Sequence, residues 1–300
     1  MFSNLLVDME NKFGEESDTM RVNSCHPQQV YNKLRDEVIL FHESVKSIME
    51  EMDPIKRVII DKISAFIKQL ISHADVAVYG SHATRLCLHW SDIDLVLKPS
   101  NMNSNKDYNT RNWLNIVYNE LLKGEHRGWI VKIDFIENTT VPVIKLACSY
   151  QHMVPNSVGS QAGQLLLPNG TVPRYTEIVS KPINVDITLW SDSHNGLPCV
   201  DLVQQYLSET SMIEPIILVL KQMLKVWGFN DAYTGGLSSY AMFLMIVSFL
   251  QEKKRLKQHE NGNIGEMILE LLRYYAQLDI SQHAICAHMP GEPITKENTY

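Results

Sequence analysis

The chain reads as an α/β module followed by an all-α module, and three observations predict this. After Leu70 the apolar period changes from 3.6 residues to 2, or to short apolar runs bounded by turn residues, at four or five places. Beyond Asp192 the 3.6 period returns and no strand pattern follows it. The composition of the 300 residues, 45% hydrophobic and 20% charged with 14 Gly and 12 Pro, is that of an ordinary globular protein long enough for about two domains.

Residues 1–27 lack periodicity and read as a flexible lead-in. From Val30, the positions Leu34, Val38, Phe41, Val45, Ile48 and Met52 mark one face of a long helix. Asp53-Pro54 then supplies an N-cap and a first-turn proline, which predict a second helix with Ile55, Ile59, Ile63, Phe66 and Leu70 inward. Strands are predicted at Asp75–Tyr79, Ile93–Leu97, Trp129–Ile136, Pro142–Ala147 and Ile183–Leu189. A helix carrying Leu114, Val117 and Leu121 lies between the second and third. Residues 148–182, rich in Gly, Pro, Ser, Asn and Gln, read as a long surface insertion between strands. Helices follow at Leu202–Leu207, Ile213–Trp227, Ser239–Leu250 and Ile264–Leu278. The expected division is therefore a sheet module with leading helices over 28–190, a helical module over 191–278 and a tail over 279–300.

Several function classes are disfavoured at once. The longest apolar run, Ala241–Leu250, is about half the roughly 20 residues that span a bilayer, so no membrane association is expected. The N-terminus turns acidic without a basic leader, and the five cysteines are widely spaced with no Cys-x-x-Cys pair. Reduced thiols in a cytosolic or nuclear protein are the expectation. A net charge of −7 predicts weak unaided nucleic-acid binding, because phosphate neutralisation by Lys and Arg dominates that affinity.

The chemistry-bearing segment is Val78-Tyr79-Gly80-Ser81, followed after ten residues by Asp92-Ile93-Asp94-Leu95-Val96-Leu97. Strand alternation puts Asp92 and Asp94 on one face, roughly 7 Å apart, opposite Ile93, Leu95 and Leu97. Such a carboxylate pair can hold Mg²⁺ together with substrate phosphates. Gly80-Ser81 ends a strand and opens a helix, where free N–H groups and a hydroxyl can meet a phosphate. Asp186, alternating with Ile183, Val185, Ile187 and Leu189, adds a third acid for a two-metal phosphoryl-transfer site. A lone Asp-x-Asp is more often a solvated strand edge; the combined pattern is what points to chemistry. Asp134 shares the strand phase but has no local partner, and reads as structural or solvent-facing.

These segments resemble the noncanonical poly(A) polymerases and terminal uridylyltransferases of the DNA polymerase β superfamily. The resemblance extends through Val141-Pro142-Val143-Ile144-Lys145, Val185-Asp186-Ile187 and Tyr233-Thr234-Gly235-Gly236-Leu237-Ser238-Ser239-Tyr240, from about residue 30 to 278. The Val-Pro-Val-Ile-Lys strand and the Tyr-Thr-Gly-Gly-Leu loop are most similar to the catalytic subunit of the nuclear RNA-surveillance polyadenylation complex. The resemblance implies a polymerase β-like nucleotidyltransferase sheet module joined to a helical poly(A) polymerase-associated domain. It implies transfer of AMP from ATP to RNA 3′-hydroxyl ends in the nucleus, with the cytoplasm as the other setting. Two Mg²⁺ or Mn²⁺ ions would be held by Asp92, Asp94 and Asp186. Lys221 and Lys225 would contact the triphosphate, with snorkelling surface lysines as the plain reading. Ser239 would meet phosphate and Tyr240 would stack on the base, a buried aromatic being the alternative. Asn195 matches a sugar-contacting residue, a helix cap being the other reading.

Two features depart from the family. The insertion is longer than expected, and the Asp-Pro and Asn-x-Gly-Arg segment that completes the family's base pocket is not found before Tyr300. Base choice between ATP and UTP stays open, as does a catalytically weak scaffold of an RNA-processing complex. The acidic balance, without a zinc knuckle or RNA-recognition motif, predicts a basic RNA-binding partner protein.

Overall fold

The computed structural model describes residues 27–100, 110–124, 128–153, 166–191, 196–255, 262–279, 282–285, 287 and 294–295. The chain divides into two compact units, one of Ser44–Gln204 and one combining the stretch up to Glu43 with Gln205 onward.

Helix α1, Pro27–Leu70, runs without interruption through both, and the break expected at Asp53-Pro54 does not occur. A mid-helix proline removes a hydrogen bond and crowds the carbonyl four residues back, at roughly 3 kcal/mol. Against that cost stands a stripe of Met52, Ile55, Ile59, Ile63 and Ile67, each at most 1% exposed. Burying one such side chain contributes about 1.5–3 kcal/mol, so packing on both sides of Pro54 outweighs the local defect.

In the Ser44–Gln204 unit, β1 (Ala74–Tyr79) leads directly into the short helix α2 (Gly80–Thr84), then β2 (Ile93–Pro99), α3 (Trp113–Leu121), β3 (Ile130–Ile136), β4 (Val143–Cys148), α4 (Thr176–Val179) and β5 (Ile183–Leu189). The five strands form one sheet in the order β1-β2-β5-β4-β3. β2 and β5 are parallel and the other pairs antiparallel. The apolar stripe of α1 and the Leu114, Val117 and Leu121 face of α3 share one core with Ile93, Leu95, Ile144, Leu146, Val185 and Ile187. Their alternate neighbours on the strands are consigned to the opposite face, where the acidic residues lie.

The expected surface insertion differs from its prediction. Its described portions are packed, with Tyr150, Leu167 and Val179 buried in the same core. Glu51 of α1 clamps the segment, accepting from the backbone N–H of Arg174 at 3.0 Å, Arg174 Nε at 2.9 Å and the N–H of Tyr175 at 3.1 Å. Composition signals turns but does not report that a loop's few apolar residues reach the interior.

Helix α5 (Gly196–Glu209) begins in the Ser44–Gln204 unit and ends in the other, where α6 (Ile213–Val226), α7 (Ser239–Arg255) and α8 (Ile264–Gln277) follow. Asn263 caps α8, its Oδ1 accepting from Gly265 N at 2.9 Å. Gly265 admits the start of α1 so closely that a Cβ there would stand 2.7 Å from the backbone nitrogen of Arg35. Ile216, Phe243, Ile246, Phe249, Ile268 and Leu272 are buried within these helices. A two-residue ladder, β6 (His283–Ala284) against β7 (Ile294–Thr295), also appears in the stretch expected to be a tail. Strands of two residues are too short to show a period. Among the described residues no helix is long and apolar enough to cross a membrane.

Candidate functional site

The sheet register assembles the acids. Asp94 of β2 is the Cα partner of Asp186 of β5 and, on its other side, of Tyr79 at the end of β1. Adjacent strands are about 4.8 Å apart, so the two carboxylates start from neighbouring positions on one face. The row continues through Lys145 of β4, partner of Asp186, to Asp134 of β3, partner of Lys145. Asp92 lies two residues before Asp94 and therefore shares its face. Its Oδ1 accepts from Asn184 Nδ2 at 3.1 Å, so Asp92-Ile93-Asp94 and Asn184-Val185-Asp186 form an in-register block of three acids and one amide.

Lys145 Nζ forms a close ion pair with Asp186 Oδ2. Burial raises the Asp186 carboxyl above the ordinary range; Lys145 pulls it down, and the charge of Asp92 pushes it up again. Among the described residues no three His, Cys, Asp or Glu side chains converge closely enough to hold an ion by themselves. Mg²⁺ is commonly bound through one or two carboxylates together with substrate phosphates rather than by an all-protein cage. Asp92 and Asp94, hard oxygen donors adjoining a glycine, fit that mode, with Asp186 engaged by Lys145 beside them.

Gly80 sits at φ +66° against Asp94, a conformation that favours glycine. A Cβ there would lie 2.9 Å from Asp94 Cγ and closer still to Oδ2. The close backbone approach anticipated for a phosphate is thus already used, in part, to seat the second acid. Thr84 ties the α2 turn together through its hydroxyl on the carbonyls of Gly80 and Ser81, each at 3.2 Å. Tyr79 hydroxyl and Thr188 hydroxyl, 3.2 Å apart, bridge β1 and β5 across β2.

The other candidate residues distribute as follows. Asn195 lies outside the described residues. Lys221 and Lys225 lie on α6 as predicted but differ in environment, Lys221 being buried and Lys225 exposed. Ser239 and Tyr240 open α7; Tyr240 is 38% exposed, its ring near-parallel to that of Phe243 with centroids 6.2 Å apart. All four belong to the helical unit, whereas Gly80, Ser81 and the three acids belong to the sheet unit. Asp134 is exposed and pairs with Lys132 at 2.5 Å, although its strand position continues the acidic row.

Three residues escaped the sequence reading. Asn184 was marked only by repeating the polar-apolar-acid spacing of Asp92-Ile93-Asp94. Lys145 was quoted in its strand without a role. Lys56, wholly buried on α1, donates from Nζ to the carbonyl of Ser91 at 3.2 Å, and nothing distinguishes it in sequence from a surface lysine.

Residues 34–166 match the family model for the central palm domain of the mitochondrial-like poly(A) RNA polymerases. Poly(A) RNA polymerase protein 1 of Saccharomyces cerevisiae is 25% identical over 260 residues, 85% of this chain and 34% of that protein. An inactive non-canonical poly(A) RNA polymerase, Trf4-2 of Drosophila melanogaster, is 27% identical over 248 residues, 81% of this chain and 51% of that one. The chain therefore spans between about a third and a half of these relatives. Among solved structures, the polymerase core of TRAMP, an RNA surveillance complex, superposes with a TM-score of 0.65 at 22% identity, covering 92% of this chain and 75% of that one. The mixed sheet with its attendant helices is the fold of the polymerase β-like nucleotidyltransferases.

Proposed function

We propose that this chain, similar in its palm region and its fold to the noncanonical poly(A) polymerases, transfers AMP from ATP to the 3′-hydroxyl of RNA without a template. The observation that carries the reading is the in-register placement of Asp94 beside Asp186, with Asp92 on the same face and Gly80 packed against Asp94.

In this reading Asp92 and Asp94, with Asp186 beside them, would hold Mg²⁺ or Mn²⁺ together with the substrate's phosphates. The bound ions would neutralise charge on the α-phosphate and on the departing pyrophosphate oxygen. The chain's own contribution is positional. Asn184 fixes the rotamer of Asp92, Gly80 limits where Asp94 can turn, and Lys145 opposes the upward push that burial gives the Asp186 carboxyl. The bond broken is α-phosphate to bridging oxygen, the bond formed is α-phosphate to the RNA 3′-oxygen, and the hydroxyl proton leaves toward the acidic row. The residues offered for nucleotide contact are Ser81 in the sheet unit and, in the helical unit taken by itself, Ser239, Tyr240, Lys221 and Lys225, with Asn195 outside the described residues.

The net charge of −7 supports dependence on a basic RNA-binding partner, and the family supports a nuclear setting. Incubation with labelled RNA and each of the four ribonucleoside triphosphates tests the activity. Preferential extension by ATP is expected; preference for UTP reassigns the base, and equal use of all four refutes both. A chain that extends nothing, and whose cellular role survives Asp92→Ala with Asp94→Ala, is a scaffold of an RNA-processing complex and not an enzyme.

A further inference from the structure

We propose that Lys56 is a positioning residue for the Asp92–Asp94 pair, acting from inside the core through the carbonyl of Ser91. This deepens the reading just given, since it rests on Asp92 and Asp94 holding the divalent cations.

A lysine of 0% exposure is unusual, because an ammonium stripped of water costs several kcal/mol unless its surroundings answer it. Snorkelling is excluded here, since no part of the side chain reaches solvent. What Nζ reaches is Ser91 O, at 3.2 Å, the residue immediately before Asp92. Ser91 is itself buried and closes the preceding turn. Its hydroxyl accepts from Leu88 N at 3.0 Å and its N–H donates to Leu88 O at 2.9 Å. The Lys56 amine therefore pins a hydrogen-bonded turn whose next residue, Asp92, leads into the acidic strand.

The charge environment agrees. Burial lowers the tendency of Lys56 to stay protonated, and Cys87, Asp53, Asp92 and Asp94 act in the other direction. Methionine, an apolar side chain one atom shorter, would fill most of the same space, and replacement of buried charges by such groups is often neutral or stabilising. What the lysine adds over an apolar residue is therefore its bond to the turn.

The experiment uses the full chain with Lys56→Met, read by thermal melting, by Mn²⁺ binding without nucleotide through the loss of its EPR signal, and by separate kcat and KM for nucleotide. The expectation is a melting temperature at or above that of the parent, Mn²⁺ affinity lowered about tenfold and kcat lowered about 10–100-fold, with KM within about threefold. Loss of a nearby positive charge alone would raise Mn²⁺ affinity, so the sign separates positioning from simple electrostatics. Affinity unchanged or raised, or kcat within twofold of the parent, overturns the assignment. Should Lys56→Met not fold, Lys56→Gln, which is one atom short of Ser91 O, is read in the same way with the same outcomes. Mn²⁺ binding does not depend on RNA tailing, so an inactive parent would refute the proposed function while leaving the Lys56 assignment measurable.

Discussion

Gly80→Ala puts the geometry of the acidic row to its sharpest test. Two penalties follow from the structure and can be separated. The first is conformational: at φ +66° an L-residue is disfavoured by about 1–2 kcal/mol, and about 2–4 °C of melting temperature per kcal/mol is typical for a protein of this size. The second is displacement. The new methyl carbon would stand 2.9 Å from Asp94 Cγ, and ordinary contact between carbons is about 3.5–4.0 Å. The carboxylate must therefore retreat by about 1 Å, a misplacement that costs on the order of 100-fold in rate when it affects a reacting group. Gly170→Ala is the control, because Gly170 has a similar φ of +83° with nothing within 4 Å of its would-be Cβ. Melting curves and single-turnover tailing of labelled RNA on both variants give the comparison. Both should lose a similar few degrees, and Gly80→Ala alone should lose about 100-fold in rate. A Gly80→Ala enzyme as fast as Gly170→Ala would refute the claim that Gly80 seats Asp94.

Two further outcomes are expected. Glu51 is pushed up by burial but held below its ordinary value of 4.5 overall by the side chain of Arg174 and the N–H groups of Arg174 and Tyr175. Its stabilisation is whole above that ordinary value and is lost as pH falls toward the depressed folded value, so melting followed between pH 6 and 3 should show a shallower acid-side decline for Glu51→Gln than for the parent. An identical decline would count against the clamp. Gly236→Ala would force a Cβ to 2.6 Å from the carbonyl oxygen of Asp231, with backbone on both sides. The helical unit should lose stability by a few kcal/mol, visible as an early transition in melting followed by helix circular dichroism.

Much of this fold is legible in the sequence because its strands carry strong signals. Ile183–Leu189 alternates cleanly and is observed with those bounds, and Ile93 to Leu97 differs only by two residues at its end. The acids are legible for the same reason: a period of 2 fixes a face. Register is not legible, since the pairing of Asp94 with Asp186 arises from strands about ninety residues apart, and neither strand names its neighbour. Lys145 and Asn184 escape for that reason, their roles being cross-strand. Lys56 escapes because its inward direction contradicts the ordinary behaviour of lysine, although it neighbours Ile55 and precedes Ile59 and Ile63 on the helix. Pro54 misleads in the opposite sense, its local preference being overridden by the buried stripe that continues beyond it.

The uninterrupted helix from Pro27 to Leu70 gives its first turns to one compact unit and the remainder to the other. No flexible tether therefore marks a place to divide the protein along this stretch. A recombinant fragment beginning at the sheet would deprive the helical half of the segment whose backbone nestles against Gly265, and one ending before the sheet would leave the isoleucine stripe bare. Dissection by truncation should accordingly yield insoluble pieces, and mixing separately expressed fragments would need both to share an overlapping copy of the helix.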